Sequence, residues 1–193
     1  MLLELVTRNR SYRRFKEEVA VERALIENLI DLARLSASGS NAQPLKFVIS
    51  KDPETNSRIF PTLSWAGYLK DWPGPKEGER PAAYIVILLD KTVRKDAGCD
   101  HGIAAQSMLL GATEAGLGGC MLGSIRRQEL CDSLGIPEHF EVLLVIALGT
   151  PAESVEIETV GNDGDIKYWR DADGVHHVPK RTLDELIVEP SPK

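Results

Sequence analysis

Apolar positions recur at helical spacing over residues 22–36, where Leu25, Ile26, Leu29, Ile30 and Ala33 share one face. That pattern marks a helix burying a single stripe. A second helical face, made by Ile103, Ala104, Ser107, Met108, Leu110, Gly111 and Ala115, runs over about residues 99–117 until Gly116 stops it. Three short runs rich in β-branched residues, 46–50, 82–90 and 141–148, are apolar without alternation and read as buried strands. Residues 117–123 make a weaker fourth. Pro73, Gly74, Pro75, Gly78 and Pro81 suit neither element, so residues 71–81 are expected to form a long exposed loop.

Beyond Thr150 and Pro151 the pattern turns polar, with turn signals at Gly161-Asn162-Asp163-Gly164 and Asp171-Ala172-Asp173-Gly174. The second lies between Lys167-Tyr168-Trp169-Arg170 and Val175-His176-His177-Val178, which predicts a hairpin. Having little apolar content of its own, this stretch is expected to pack as an arm on the rest of the chain or on a second subunit. Mixed helices and strands with such an arm predict an α+β fold, a single domain over residues 1–193 and a dimer. The length of 193 residues, about 1.3 typical domains, agrees with that, and no repeat or low-complexity tract argues otherwise.

Hydrophobic residues make up 42% and charged residues 27%, enough for a folded core. Lys and Arg number 23 against 29 Asp and Glu, a net charge of −6, which argues against a nucleic-acid binder held by a basic whole-protein field. The longest apolar run has eight residues, 82–89, well short of the roughly 20 that span a bilayer, so no membrane segment is expected. Near the N-terminus an acid, Glu4, interrupts the apolar stretch and the cations come afterwards, which is unlike a signal peptide and leaves the cytoplasm as the expected location. Cys99, Cys120 and Cys131 are odd in number and lack a paired spacing, so buried thiols are expected rather than a disulfide or zinc framework.

Against this acidic background, Arg8-Asn9-Arg10-Ser11-Tyr12-Arg13-Arg14-Phe15-Lys16 places five cations within nine residues. It can be a solvated charged face, a nucleic-acid patch with Tyr12 and Phe15 interleaved, or a phosphate site in which Ser11 and Arg13 project to one side of an extended segment. Spacing alone does not choose among them. Ser38-Gly39-Ser40-Asn41-Ala42-Gln43-Pro44 follows the first helix and precedes a strand. It suits an ordinary connection, yet its two amides can also read the edge of a planar heteroaromatic ring.

Gly116-Leu117-Gly118-Gly119-Cys120-Met121-Leu122-Gly123-Ser124 is not a dinucleotide fingerprint, because the third glycine would fall at Met121 and the glycines follow a helix instead of a strand. No Gly-Lys-Ser/Thr is present to make a P-loop. A glycine-rich strand whose backbone approaches something closely, such as a flat ring, is the expectation. Cys99, Asp100 and His101 read as helix N-terminal polar residues, and His176 and His177 face opposite sides of a strand, so no metal site is expected.

Taken in order, these segments resemble the nitroreductase family of FMN-dependent oxidoreductases. Arg10, Ser11, Arg13 and Phe15 are similar to its N-terminal Arg-Ser-x-Arg-x-Phe signature. Residues 37–44 are similar to its Pro-Ser-x-x-Asn-x-Gln-Pro loop, with Ala37 replacing the first proline. Gly118 to Ser124 resembles its glycine-rich segment, and Lys180-Arg181 its C-terminal basic pair, so that the resemblance extends over residues 4–187.

The resemblance implies a central, mostly antiparallel sheet flanked by helices, in an intertwined homodimer with two FMN sites at the interface and residues 151–193 packed on the partner subunit. It implies that Arg10, Ser11, Lys180 and Arg181 hold the phosphate, and that Arg13 faces the flavin pyrimidine. A cation there stabilises the reduced, anionic ring. Ser38, Asn41 and Gln43 would come from the partner, and the backbone of Met121, Leu122 and Gly123 would lie near N5. Many members carry Arg or His where this chain has Asn9.

The implied activity is transfer of hydride from NADH or NADPH to the flavin, then reduction of a nitro compound, a quinone or another small acceptor by a ping-pong mechanism. No catalytic side chain is demanded. The alternatives are a family branch with different flavin chemistry, such as reductive dehalogenation or flavin fragmentation, and a non-enzymatic anion or nucleic-acid module using residues 8–16. Trp65, Tyr68 and Trp72 would either cover the ring as a lid or anchor the long loop as an apolar patch.

Overall fold

The computed structural model describes residues 1–190. It divides into two compact units, Met1–Trp65 with Pro73–Ala152, and Ala66–Trp72 with the chain from Glu153 onward. The boundary after Ala152 falls where the hydrophobic pattern fades.

In the first unit, helices α1 (Leu2–Arg8) and α2 (Arg23–Leu35) precede strand β1 (Leu45–Ser50), and α3 (Pro53–Ile59) precedes β2 (Ala83–Asp90). Then come α4 (Asp100–Glu114), β3 (Gly118–Leu122), α5 (Arg127–Leu134) and β4 (Phe140–Gly149). The four strands form one sheet in the order β1-β2-β4-β3, every pair antiparallel.

All eight residues of β2 are buried. Ala83, Ile85 and Ile87 join Ile146 and Leu148 of β4 in a core with Ile26 and Leu29 of α2 and Ala105 and Met108 of α4. Tyr84, Val86 and Leu88 point to the opposite face and are equally buried. Two covered faces explain why this strand reads as a continuous apolar run although its neighbours are antiparallel. Helices α2 and α4 approach closely at Gly111, where a Cβ would stand 2.4 Å from Leu32 Cδ1 and 3.0 Å from Leu29 Cδ2.

The helices α1, α3 and α5 are absent from the periodicity reading because they are short and bury little. None of α1's residues is buried, and α3 and α5 bury one each, Ile59 and Leu130. Of the cysteines, Cys120 is buried, Cys131 half-buried and Cys99 exposed. Burial of all three was the expectation, and Cys99 departs from it because it stands just outside α4, beyond that helix's packed face.

The second unit is a three-stranded sheet in the order β5-β7-β6, comprising β5 (Val155–Thr159), β6 (Trp169–Arg170) and β7 (His176–Lys180). Strands β6 and β7 form the expected hairpin, and β5 adds in parallel to β7. Arg170 links this sheet to its neighbours, with its guanidinium 2.8 Å from the buried Glu153 carboxylate and 4.8 Å from the Trp72 ring centroid. Among the described residues no helix is long and apolar enough to cross a membrane.

Candidate functional site

The basic segment is extended and laid along β3, the sheet edge. Ser11 bridges to Gly119 in parallel, and Tyr12 N–H donates to the Gly119 carbonyl at 3.0 Å. Phe15 is fully buried and pins the far end, with Lys16 N–H donating to the Thr150 carbonyl at 2.9 Å.

The cations along it serve different purposes. Arg14 is held by Glu79 at 2.5 Å, and that contact keeps the Glu79 carboxyl below the usual carboxylate range. Arg10 donates from Nη2 to the Val6 carbonyl at 2.7 Å, whereas its Nε–H is buried and has no hydrogen-bond partner among the described residues. Burial lowers the Arg10 pKa, yet a guanidinium stays charged. Arg13 donates to the Ser11 carbonyl at 3.1 Å, beside the exposed Ser11 hydroxyl.

Residues 73–81 brace this segment. Phe15 N–H donates to the Glu79 carbonyl at 2.9 Å, while the Glu17 carboxylate accepts from Gly78 N–H at 2.6 Å and Arg80 N–H at 3.3 Å. The loop is therefore not exposed along its length. Gly74, Pro75 and Pro81 are buried, and a Cβ on Gly74 would stand 2.7 Å from the Trp65 ring. Of the three aromatics read as a lid or an anchor, Trp65 is buried in the first unit beside Phe60. Tyr68 packs on Tyr168 with ring centroids 4.9 Å apart, and Trp72 lies under Arg170.

The loop after α2 is strained. Among the described residues four non-glycines have positive φ, and three belong to this loop, Ser40 at 55°, Asn41 at 52° and Gln43 at 51°. Each costs about 1–3 kcal/mol and persists only where the surroundings over-determine it. The surroundings here are Asp100, at the start of α4, and Arg94. The Asp100 carboxylate accepts from the Ser38 hydroxyl at 2.6 Å and from Gly39 N–H at 2.9 Å, and Arg94 Nη1 donates to the Gly39 carbonyl at 3.0 Å. Ser38 Oγ in turn accepts from Gln43 N–H at 2.9 Å. Although Asp100 is buried, these hydrogen bonds and Arg94 hold its carboxyl below the ordinary value. A cavity of about 220 Å³ adjoins the loop, lined by Ser38, Gln43, Asp100, Ala104 and Phe47 among others.

Along β3 the glycines divide. A Cβ on Gly118 would stand 2.5 Å from Tyr12, and one on Gly119 2.5 Å from Leu109 and 2.7 Å from the Ala147 carbonyl. The close approach expected of a ring is made at these two positions by the chain's own side chains and backbone. Gly123 differs, with Leu144 at 3.9 Å as the nearest neighbour. It is exposed, its carbonyl accepts from Arg127 at 3.3 Å, and it follows half-buried Met121 and buried Leu122.

In the second unit, exposed Lys180 ends β7 and Arg181 is paired with Glu185 at 3.2 Å. His176 and His177 are both buried. His177 Nδ1 lies 2.6 Å from Glu158 and Nε2 3.2 Å from Asp171, and the ring stacks on Trp169 with centroids 4.1 Å apart. Among the described residues no group of three His, Cys, Asp or Glu could hold a metal ion.

The first unit thus carries, on an antiparallel α+β frame, a half-buried arginine whose buried Nε–H has no partner among the described residues, beside an exposed serine, and an amide-bearing loop tied to Asp100 and Arg94. The chain belongs to the nitroreductase family, whose model matches residues 6–150. A protein of Methanothermobacter thermautotrophicus, named as a candidate NADH dehydrogenase/NAD(P)H nitroreductase, is 28% identical over 160 residues, covering 79% of this chain and 78% of its own. The NADPH-flavin oxidoreductase of Vibrio harveyi is 25% identical over 173 residues, covering 81% and 68%. In three dimensions a nitroreductase family protein from Streptococcus pneumoniae matches 98% of this chain and all of its own, with a TM-score of 0.72 at 17% identity.

Proposed function

We propose that the chain is an FMN-dependent oxidoreductase that takes electrons from NADH or NADPH and passes them to a nitro compound, a quinone or another small acceptor. The observation carrying this reading is the Arg10–Ser11 pair at the β3 edge. A buried Nε–H needs an acceptor, and a phosphate beside a serine hydroxyl is one. A terminal phosphate favours FMN among flavins, and the names of the relatives supply the flavin and the nicotinamide donor. Bound FMN would supply two-electron chemistry at its N5 atom.

The residues present fit that group. Arg10 and Ser11 would grip the phosphate, and Arg13 would place positive charge against the pyrimidine edge. Asn41 and Gln43 would hydrogen-bond that edge from a loop already fixed in shape. Ser38 donates its hydroxyl hydrogen to Asp100, so what it offers a ligand is a lone pair. At Met121, Leu122 and Gly123 the chain offers backbone running just past the end of β3, where a Cβ on Gly123 would meet Leu144 only at 3.9 Å.

A homodimer completes the reading. Ser38 is tied to Asp100 at the start of α4, while Ser11 pairs with Gly119, which packs beside Leu109 further along that helix, so the two half-sites lie on different parts of the first unit. The resemblance to the family assigns them to different subunits, and the homodimer is proposed on that ground. With one planar guest at a time over the ring, donor and acceptor take turns, which is ping-pong kinetics.

Flavin released from the purified protein and separated chromatographically should be FMN, and NADH or NADPH should bleach it anaerobically. FAD, or no flavin after reconstitution, would overturn the assignment. Double-reciprocal plots at several acceptor concentrations should be parallel. Intersecting lines would mean separate sites.

A further inference from the structure

We propose that Asp100 is a positioning residue, which presets the loop of residues 38–43 for the flavin before any cofactor arrives. The inference rests on the FMN reading for its ligand and on the structure for its geometry. Asp100 stands 62 residues from Ser38 in sequence yet takes two hydrogen bonds from the loop's first two residues. Its carboxylate is buried, charged and directed at the loop.

The chain of contacts spans the loop. Asp100 fixes Ser38 Oγ by accepting its hydrogen, which aims an oxygen lone pair at Gln43 N–H, and Arg94 closes the Gly39 carbonyl from the other side. Ser40, Asn41 and Gln43, all in the left-handed region, lie between or at these fixed points. Within the loop Ser38 Oγ takes Gln43 N–H and Gln43 Nε2 reaches the Asn41 carbonyl at 3.2 Å, while the loop's hold on the rest of the chain runs through Asp100 and Arg94. Asp100 therefore acts through the loop, its two carboxylate oxygens being occupied by Ser38 and Gly39. A preset loop binds without having to order itself at that moment, so Asp100 governs flavin affinity and electronic environment at once.

Asp100→Ala, Asp100→Asn and Ser38→Ala, alone and with Asp100→Ala, separate this from plain stability. FMN dissociation constants, the midpoint potential of bound FMN and melting of the flavin-free protein would be measured for each. The expected result is at least tenfold weaker FMN binding and a shifted potential in Asp100→Ala. Asp100→Asn should recover part of both, since its amide oxygen still accepts from Gly39 N–H. The double variant should bind no more weakly than the worse single one, because both changes break one chain of contacts. Unchanged affinity and potential with a lowered melting temperature, or additive losses, would overturn the proposal.

Amide exchange in the flavin-free protein provides an arm independent of the cofactor. Gly39 and Gln43 amides should exchange at least tenfold faster in Asp100→Ala, and equal rates would overturn the inference whatever the flavin does. Accelerated exchange in Asp100→Ala together with a wild-type protein that binds no FMN would instead sink the FMN reading and leave the preset loop standing.

Discussion

Arg10 and Arg14 lie four residues apart with opposite fates, one left with a buried unpaired Nε–H and the other neutralised by Glu79. Because only arginine presents an Nε donor in that direction, Arg10→Lys should weaken FMN binding tenfold or more, the scale of a charge-assisted hydrogen bond at about 1.5–3 kcal/mol. Fluorescence titration checks it, and an unchanged constant would make Arg10 a surface charge. Arg13→Ala should lower the potential of the bound flavin as well as its affinity, since positive charge is removed from the reduced ring. A different residue, His177, carries a pH dependence. Its hydrogen bond to Asp171 raises its pKa, Glu158 adding to the effect against burial. A raised native value means that its stabilising contribution is complete below the ordinary 6.5 and is lost as pH climbs through the native value. Asp171, held below 3.8 chiefly by the same hydrogen bond, contributes above 3.8 and fails only in stronger acid. The clasp joining β5, β7 and the 171–175 turn is thus firmest between those two values. NMR titration of His177 should give a midpoint above 6.5, and a midpoint at or below it would refute the clasp.

Among the elements, β3 tests how close contacts divide between packing and ligand. Gly119→Ala would press a methyl against the Ala147 carbonyl, which is backbone and cannot swing aside. Overpacking of that kind costs about 1–3 kcal/mol, so the melting temperature should fall by several degrees. Gly123→Ala meets nothing closer than 3.9 Å and should melt like the parent while binding FMN more weakly, the reverse dissociation of effects. Equal losses of stability in the two variants would contradict the division. The same strand shows what the sequence discloses. Helices α2 and α4 and strands β1, β2 and β4 were legible within about three residues, because each carries an apolar stripe or run, but β1 was expected to be buried and, as an edge strand, is only half-buried, with Ser50 its one buried residue. The glycine-rich strand was legible as a strand, but not the cause of its glycines, because Tyr12, Leu109 and Ala147 reach it by tertiary packing. Asp100 was legible as a polar residue at a helix start, and its engagement with Ser38 was not, since nothing local ties residues 62 apart. Helix α3 did leave a signal, Asp52 before Pro53, where the Asp52 carboxylate accepts from Thr55 N–H at 2.8 Å.

At the scale of the whole molecule, apolar surface is left over at both ends of the chain. Leu2 and Leu3 of α1 are 67% and 78% exposed, and Leu186 and Val188 are 65% and 88% exposed, more than an isolated soluble protein ordinarily leaves clustered in sequence. In the homodimer proposed above a second copy of the chain is the partner for them, and sedimentation should then find a dimer. Deleting residues 161–193 should abolish both dimerisation and FMN binding, and a flavin-loaded monomer would contradict the assembly. Because such a truncation can also unfold the second unit, complementation is the sharper test. One chain would carry Arg10→Glu, disabling the basic segment, and the other Asn41→Ala with Gln43→Ala, disabling the loop. Neither homodimer should retain FMN. If a site takes its basic segment from one subunit and its loop from the other, each mixed dimer contains one site with every defect and one site with none. Random assortment makes half the dimers mixed, so about one quarter of all sites should regain FMN after unfolding and refolding the two chains together. If instead each chain built its site alone, every site would keep its defect and no flavin would return, however well the chains paired.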